Sequence, residues 1–323
     1  MKAFEYENYG SPEVLKMIDV EIPKPKKDEV LVKMKASTVT ATEVTFRKGE
    51  PYFTRLFTGL RSPKLKRLGE MVAGIVEEVG PDHKEFKKGD SVFGIAGPDF
   101  GANGEYALIG KKGVLAHKPS SMTFDEAVAA VDGFMTALPF LRDTGEIQKG
   151  QSILINGASG SVGSAAVQIA KFFGAQVTGV CSGRNRAIVM GLGADHVIDY
   201  TTNDFTKTDE TYDIIFDTVG NLNFGRTKSN LNENGVFLEA AVGVKTFGSV
   251  LRTAFGGGKK ARVAATGLRN PKDKKKDLLL LKQLLELGRF VPYIDRSYHF
   301  KDLSSAHEYV DSGRKRGNVV LMY

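Results

Sequence analysis

The sequence predicts an α/β protein in two parts: a β-rich, irregular barrel-like lobe and a doubly wound parallel sheet. Three observations predict it. The first third alternates apolar and polar residues between turn signals. After Gly150, short apolar strands alternate with helical runs. The first of those strands runs into a spaced glycine triplet that opens a helix. A chain of 323 residues, 41% of them hydrophobic, is long enough to bury two cores.

The elements follow in order. Residues 30–35 (V-L-V-K-M-K) alternate as a half-buried strand does. Residues 71–79 (M-V-A-G-I-V-E-E-V) form a second strand that stops at the Gly80-Pro81 turn. The run F-K-K-G-D-S-V-F-G, 86–94, reads as a tight turn feeding another strand. From Thr123 apolar residues recur at helical spacing, with Thr123 as N-cap and Glu126 completing a capping box. Strands are then expected at 152–156 and 177–181, each followed by a helix, at 164–173 and 184–192. Further strands are expected at 196–199, 214–218 and 236–240, with a sixth at 262–265. Beyond Asp277 come two helices and a closing V-V-L-M-Y, expected to return to the first lobe. The boundaries expected are 1–124 with 268–323 for the β-rich domain, and 125–267 for the parallel-sheet domain.

Composition narrows the function classes. The single cysteine, Cys181, excludes a disulfide framework or a cysteine zinc cluster within the chain. No apolar run approaches a bilayer span, and M-K-A-F-E-Y-E-N-Y-G does not read as a signal peptide, so a soluble, cytoplasmic protein is expected. The net charge of +7 is spread over short lysine runs without interleaved aromatics, so no nucleic-acid partner is expected.

The strongest chemical signal is I-N-G-A-S-G-S-V-G-S-A-A-V-Q-I-A-K, residues 155–171. Gly157, Gly160 and Gly163 carry the spacing of a dinucleotide fingerprint. One glycine turns the chain sharply, one admits the pyrophosphate and one lets helix pack on strand. The following helix offers free N–H groups and a partial positive charge to phosphates. The second strand of this unit ends V-C-S-G-R-N-R, with no acid for a ribose 2′-hydroxyl. Ser182 and Arg184 suit a 2′-phosphate instead, and Tyr200 adds a hydroxyl at the adenosine end. NADPH is therefore expected over NADH.

These stretches, with A-S-T-V-T-A-T-E, A-G-I-V-E-E-V-G-P-D-H-K-E-F-K-K-G-D-S-V-F-G, G-E-Y-A, L-G-A-D-H-V-I-D-Y, Y-D-I-I-F-D-T-V-G and terminal G-N-V-V-L, resemble the medium-chain dehydrogenase/reductase superfamily nearly end to end. The likeness is to its zinc-free quinone oxidoreductase-like branch, and C-S-G-R-N with A-D-H-V-I-D-Y is similar to members that reduce α,β-unsaturated carbonyls. The resemblance implies a GroES-like catalytic lobe, a Rossmann NADP-binding domain and a nicotinamide in the cleft between them. It places Thr136, Val219, Gly220, Ala241, Val242, Gly243 and Asn318 around the cofactor, with Ser161 and Val162 at the pyrophosphate turn. There are departures. Thr40 stands where zinc members have cysteine, Glu43 where aspartate is usual, and Glu70, in R-L-G-E-M-V-A-G, where they have histidine. Two carboxylates make a poor zinc site, so no metal is expected.

Without a Lewis acid, a self-activating acceptor is the expected substrate: an enone or quinone, whose charge after hydride addition is delocalised. Alternatives are a zinc-independent alcohol dehydrogenase and an NADPH-binding sensor or scaffold with little turnover. Tyr52 is the candidate proton donor, with solvent or simple aromatic packing as the competing accounts. Thr40, Tyr52, Phe53 and Phe57 are the candidate hydrophobic substrate wall. K-A-R-V-A-A-T is a candidate edge for a homodimer.

Overall fold

The computed structural model describes residues 1–240, 244–254 and 257–323, without the side chains of residues 57, 244–247 and 254. In chain order the first elements are strands β1 (Lys2–Glu5), β2 (Lys16–Asp19) and β3 (Val30–Val39), then helices α1 (Ala41–Lys48) and α2 (Arg55–Thr58). Strands β4 (Met71–Val79), β5 (Ser91–Ile95), β6 (Tyr106–Ile109) and β7 (Val114–His117) lead into α3 (Phe124–Pro139). The parallel-sheet part runs β8 (Ser152–Asn156), α4 (Ser161–Phe172), β9 (Gln176–Cys181), α5 (Arg186–Gly191) and β10 (His196–Asp199). It continues through β11 (Tyr212–Asp217), α6 (Phe224–Thr227), β12 (Leu231–Glu239), α7 (Val244–Ala254) and β13 (Lys260–Arg262). Helix α8 (Pro271–Glu286), β14 (Ile294–His299), α9 (Leu303–Asp311) and β15 (Asn318–Met322) close the chain.

Two compact units result. The first comprises Met1–Asp132, Asn270–Gly288 and Pro292–Tyr323; the second, Gly133–Arg269 with Arg289–Val291. In the first, β14, β15, β3, β4, β5 and β7 pair in that order, and β6 joins β3. The C-terminal β15 does return, pairing antiparallel with β3 through Val320 opposite Thr38. Register shifts between Leu31/Val32 and between Met34/Ala36 bend β3 against β4. Phe4, Tyr6, Leu68, Leu303, Val319 and Leu321 build one core of this unit, and Val32, Val72, Val76 and Val92 belong to another.

In the second unit the order is β10-β9-β8-β11-β12-β13, every pair parallel. A parallel sheet hides both faces, which is why Ile153–Ile155 and Ile214–Phe216 are unbroken apolar runs at 0–1% exposure. The chain moves outward from β8 to β9 and β10, then returns to the other side of β8 for β11, β12 and β13. That reversal opens a crevice at the carboxyl ends of β8 and β11, where α/β sheets of this kind bind ligands.

Two element expectations need correction. The sixth strand is Lys260–Arg262, not 262–265, because β12 pairs Val236, Phe237 and Leu238 with Lys260, Ala261 and Arg262. The helix expected over 184–192 opens as a 3₁₀ turn, Gly183–Asn185, and becomes α only at Arg186. The Thr123 capping box forms: Glu126 Oε2 accepts the Thr123 amide at 2.9 Å.

Candidate cofactor and active site

The glycine turn lies at the carboxyl end of β8. Gly157 has φ +80°, a left-handed conformation that favours glycine, and a Cβ there would meet Val219 Cγ2 at 2.5 Å. A Cβ on Gly163 would run into the Gly157 carbonyl oxygen, so this glycine lets α4 pack against the turn. Gly160 differs. It is the N-cap of α4 with φ −81° and no side-chain cap, and a Cβ there would meet only the Gly157 oxygen at 3.4 Å. The first turn of α4, at Ser161, Val162 and Gly163, thus starts at a small, uncapped residue, and this geometry fits a pyrophosphate.

Buried side chains brace the turn. Asp217 at the end of β11 is fully buried. Its carboxylate accepts the amides of Val219 (3.0 Å), Gly220 (3.1 Å) and Leu222 (2.9 Å), and the Asn156 Nδ2 donor (2.9 Å). Thr218 donates to the Asn156 carbonyl at 2.7 Å. Asn185 Nδ2 donates to Ser159 Oγ at 3.0 Å, tying the turn after β9 to the glycine loop. Sequence reasoning missed Asp217, Asn156 and Asn185. The acid after an apolar strand in F-D-T-V-G was the available signal.

At the other end of the turn, Ser182 is half-buried, while Arg184 and Tyr200 are exposed. No hydrogen bond or ion pair involves Arg184 among the described residues. The premise that no carboxylate stands here is corrected: parallel pairing sets Asp199 of β10 beside Cys181, and its Oδ2 lies against the open side of Gly183. Its carboxylate accepts the Thr201 amide at 2.9 Å and hydroxyl at 2.7 Å. These bonds hold its carboxyl below the usual range. Thr136 is half-buried within α3. Buried Asn318 donates its Nδ2 to the Tyr293 carbonyl at 3.1 Å. Val219 is 52% exposed. Ala241, Val242 and Gly243 lie outside the described residues.

The β-rich unit holds a buried polar cluster around α1. Thr40 caps the helix, its hydroxyl accepting the Glu43 amide at 3.1 Å. Glu43 is fully buried, and Asn103 Nδ2 donates to its Oε2 at 3.1 Å while Oε1 has no partner in the described structure. Burial, then the Glu70 charge, pushes the Glu43 carboxyl up to about 8 against the partial relief of Asn103. Glu70 is half-buried, and burial with the Asp132 charge raises it to about 7. His307 Nε2 lies 4.0 Å from Glu43 Oε2, and both imidazole nitrogens lack hydrogen-bond partners. Burial, then Arg47, lowers His307 to about 3. His307 is therefore a core histidine, neutral at pH 7. No group of three or more histidine, cysteine or acidic residues is placed to hold a metal among the described residues.

The candidate substrate loop is open rather than packed on itself. Tyr52 is 73% exposed, Leu56 67% and Leu60 69%. The Arg55 guanidinium lies 4.6 Å from the Tyr52 ring centroid and 4.5 Å from that of Tyr9. Phe53 is 42% exposed, and the Phe57 side chain lies outside the description. Tyr52 and Pro51 line a groove of about 610 Å³ together with Ala41, Val44, Thr45, Lys48, Glu50, Val310 and Asp311; Thr40 and Phe53 are not among its lining residues.

Two family profiles match the chain: an alcohol dehydrogenase GroES-like domain over residues 26–137 and a zinc-binding dehydrogenase profile over 192–321. Fold and turn together define a dinucleotide-dependent oxidoreductase with a GroES-like domain and a Rossmann domain. Among similar proteins, the 2-methylene-furan-3-one reductase of Solanum lycopersicum is 33% identical over 99% of this chain and 79% of its own. The NADPH-dependent alkenal/one oxidoreductase of Arabidopsis thaliana chloroplasts is 30% identical over the same shares. The solved quinone oxidoreductase of Coxiella burnetii superposes with a TM-score of 0.87 at 27% identity, covering 100% of this chain and 99% of its own. The chain belongs to the quinone oxidoreductase-like branch of the medium-chain dehydrogenase/reductase superfamily, a family of NAD(P)H-dependent oxidoreductases. No helix among the described residues is long and apolar enough to cross a membrane.

Proposed function

We propose that the protein reduces α,β-unsaturated carbonyls or quinones with NADPH, without zinc. The observation that carries the reading is the uncapped glycine turn at the reversal point of the parallel sheet, beside the β11 turn that Asp217 holds. Its likeness to the tomato and Arabidopsis reductases supports the acceptor class. Gly157, Gly160, Ser161, Val162 and Gly163 hold the pyrophosphate; Ser182, Arg184 and Tyr200 take the 2′-phosphate. Asp199 is committed to Thr201 and the Gly183 amide, so Arg184 faces solvent without a carboxylate partner. Thr136, Val219, Ala241, Val242, Gly243 and Asn318 surround the nicotinamide end. The bound cofactor supplies a hydride; the protein aligns the acceptor and keeps water out.

The donor set does not fit a catalytic zinc. Thr40 is engaged as a helix cap, and Glu43 and Glu70 bring neither thiolate nor imidazole. Thr40, Tyr52, Phe53 and Phe57 form the substrate wall, which suits a small hydrophobic acceptor in a cytoplasmic enzyme. The edge strand β13 is the proposed seam of a homodimer, checked by sedimentation of the intact chain.

The decisive assay follows NADPH oxidation over a panel of alkenals, alkenones and quinones, alongside metal analysis. Turnover on that panel by metal-free protein is expected; tight NADPH binding with no oxidation would sink the reading. Arg184→Ala is expected to weaken NADPH at least about tenfold more than NADH, the scale of one charge-assisted phosphate contact. Equal losses refute the assignment of the 2′-phosphate site.

A further inference from the structure

The segment 51–69 carries five basic residues, Arg55, Arg61, Lys64, Lys66 and Arg67, and no acidic one. Its backbone is anchored. The Tyr9 hydroxyl donates to the Gly59 carbonyl at 2.6 Å and lies 2.8 Å from the hydroxyl of buried Thr58. Arg55 Nε donates to the Gly49 carbonyl at 3.0 Å. The Lys64 amide donates to the Thr58 carbonyl at 2.7 Å and closes a turn over residues 58–64. That turn is tight, because Gly59 has φ +122° and a Cβ there would strike the Ser62 carbonyl oxygen.

The large apolar side chains of this anchored segment are nevertheless exposed. Tyr52, Phe53 and Leu56 sit on the helical turns over 52–58, where Leu56 is four residues from Tyr52 and three from Phe53, so they are neighbours on one side. Leu60 is exposed in the turn that follows. Beside it, the exposed side chains of Arg61 and Lys64 make no hydrogen bond or ion pair among the described residues. Arg55 lies over the Tyr9 and Tyr52 rings, Lys66 pairs with Glu7 and Arg67 with Glu5. An exposed apolar patch with a polar rim marks a docking surface. Apolar side chains on a fixed backbone, flanked by unpaired cations, suit an anionic lipid surface: the apolar groups enter the acyl boundary and the cations stay among the headgroups. A peptide partner is read by a groove or a sheet edge. Leu56, Leu60, Arg61 and Lys64 belong to neither, since they line no part of the groove beside Tyr52 and lie outside every strand.

We infer that residues 52–64 dock on an anionic lipid bilayer, with Leu56 and Leu60 inserting and Arg61 and Lys64 meeting the headgroup anions. Tyr52 and Phe53 of the same segment belong to the proposed substrate wall, so an apolar enone or quinone dissolved in the lipid meets the enzyme where it docks. That consequence rests on the proposed function; the docking itself does not.

The test is cosedimentation of the intact chain with vesicles of phosphatidylcholine, alone or mixed with phosphatidylserine. Wild type should bind the mixed vesicles, ignore the neutral ones and release as salt is raised. Leu56→Ser with Leu60→Ser, and separately Arg61→Ser with Lys64→Ser, should each weaken binding at least about tenfold. Both pairs should keep NADPH affinity, which reports an intact fold. No binding to mixed vesicles overturns the inference, as does equal binding to neutral ones or binding that either pair leaves untouched. A lipid-free dimer that L56S/L60S disperses in sedimentation makes this face a seam between copies and overturns it too. Vesicle binding by a chain that reduces no enone or quinone sinks the enzyme reading and leaves the docking in place. An active enzyme that ignores the mixed vesicles sinks the docking alone.

Discussion

Asp217 determines where Val219 sits. A buried carboxylate that accepts several backbone amides fixes their positions, and hydrogen bonds to a charged group contribute about 1.5–3 kcal/mol each. Asp217→Ala leaves the Val219, Gly220 and Leu222 amides without their acceptor, while the Asn156 side chain keeps its bond to Asn221 Oδ1 at 2.8 Å. We expect a loss of about 3 kcal/mol in denaturant unfolding, with weaker NADPH binding measured by fluorescence titration. Unchanged stability and affinity would show that water replaces the carboxylate. At this scale the sequence was partly legible. Gly157, Gly160 and Gly163 announce themselves because their spacing is local. Asp199 and Cys181 meet only through pairing between neighbouring strands, so the acid beside Gly183 was hidden. The neighbourhood of Glu70 was hidden too, since Glu43, Asp132 and Lys274 come from three separate helices.

The element scale turns on α4 and the turn before it. The three fingerprint glycines make different demands, which substitutions can separate. Gly163→Ala places a methyl against the Gly157 carbonyl oxygen, a backbone atom that cannot swing aside. It should lower stability by about 1–3 kcal/mol, the usual cost of overpacking. Gly160→Ala adds a methyl with its nearest contact at 3.4 Å and an ordinary φ of −81°. That variant should lose no more than about 1 kcal/mol, the cost of alanine in place of glycine at an N-cap, yet bind NADPH at least several-fold more weakly. If G160A loses stability and G163A does not, the packing account of the turn is wrong. The strands were legible because β8, β9 and β11 are short apolar runs bounded by turn residues. Strand β13 was displaced because Lys260–Arg262 has little apolar pattern of its own, and pairing with Val236–Leu238 decides its register. The start of α5 was misjudged for a related reason. Gly183–Asn185 stays in a 3₁₀ turn, with the Asn185 amide donating to the Ser182 carbonyl at 2.8 Å.

For the molecule as a whole, the buried Glu43 and His307 tie stability to pH from opposite sides. Glu43 is raised from 4.5 to about 8, chiefly by burial. An unfolded chain ionises this carboxyl above 4.5 while the folded one does not, so its contribution is full below pH 4.5 and declines until about 8. His307 is lowered from 6.5 to about 3, again chiefly by burial. The unfolded chain protonates this imidazole below 6.5 while the folded one does not, so its contribution is full above pH 6.5 and declines until about 3. Between pH 4.5 and 6.5 the two slopes oppose each other and nearly cancel. The pair by itself is therefore flat there, and Glu70, raised from 4.5 to about 7, adds a decline between those values. In urea unfolding from pH 3 to 9, Glu43→Gln should remove the decline between about pH 7 and 8 and leave the acid one, and His307→Gln should remove the acid one and leave the alkaline decline. Each glutamine keeps a polar side chain of similar reach in the buried cluster, so both variants are comparable in packing. Parallel curves for wild type and both variants would mean that neither group titrates differently on folding, and that the buried cluster around α1 is open to water.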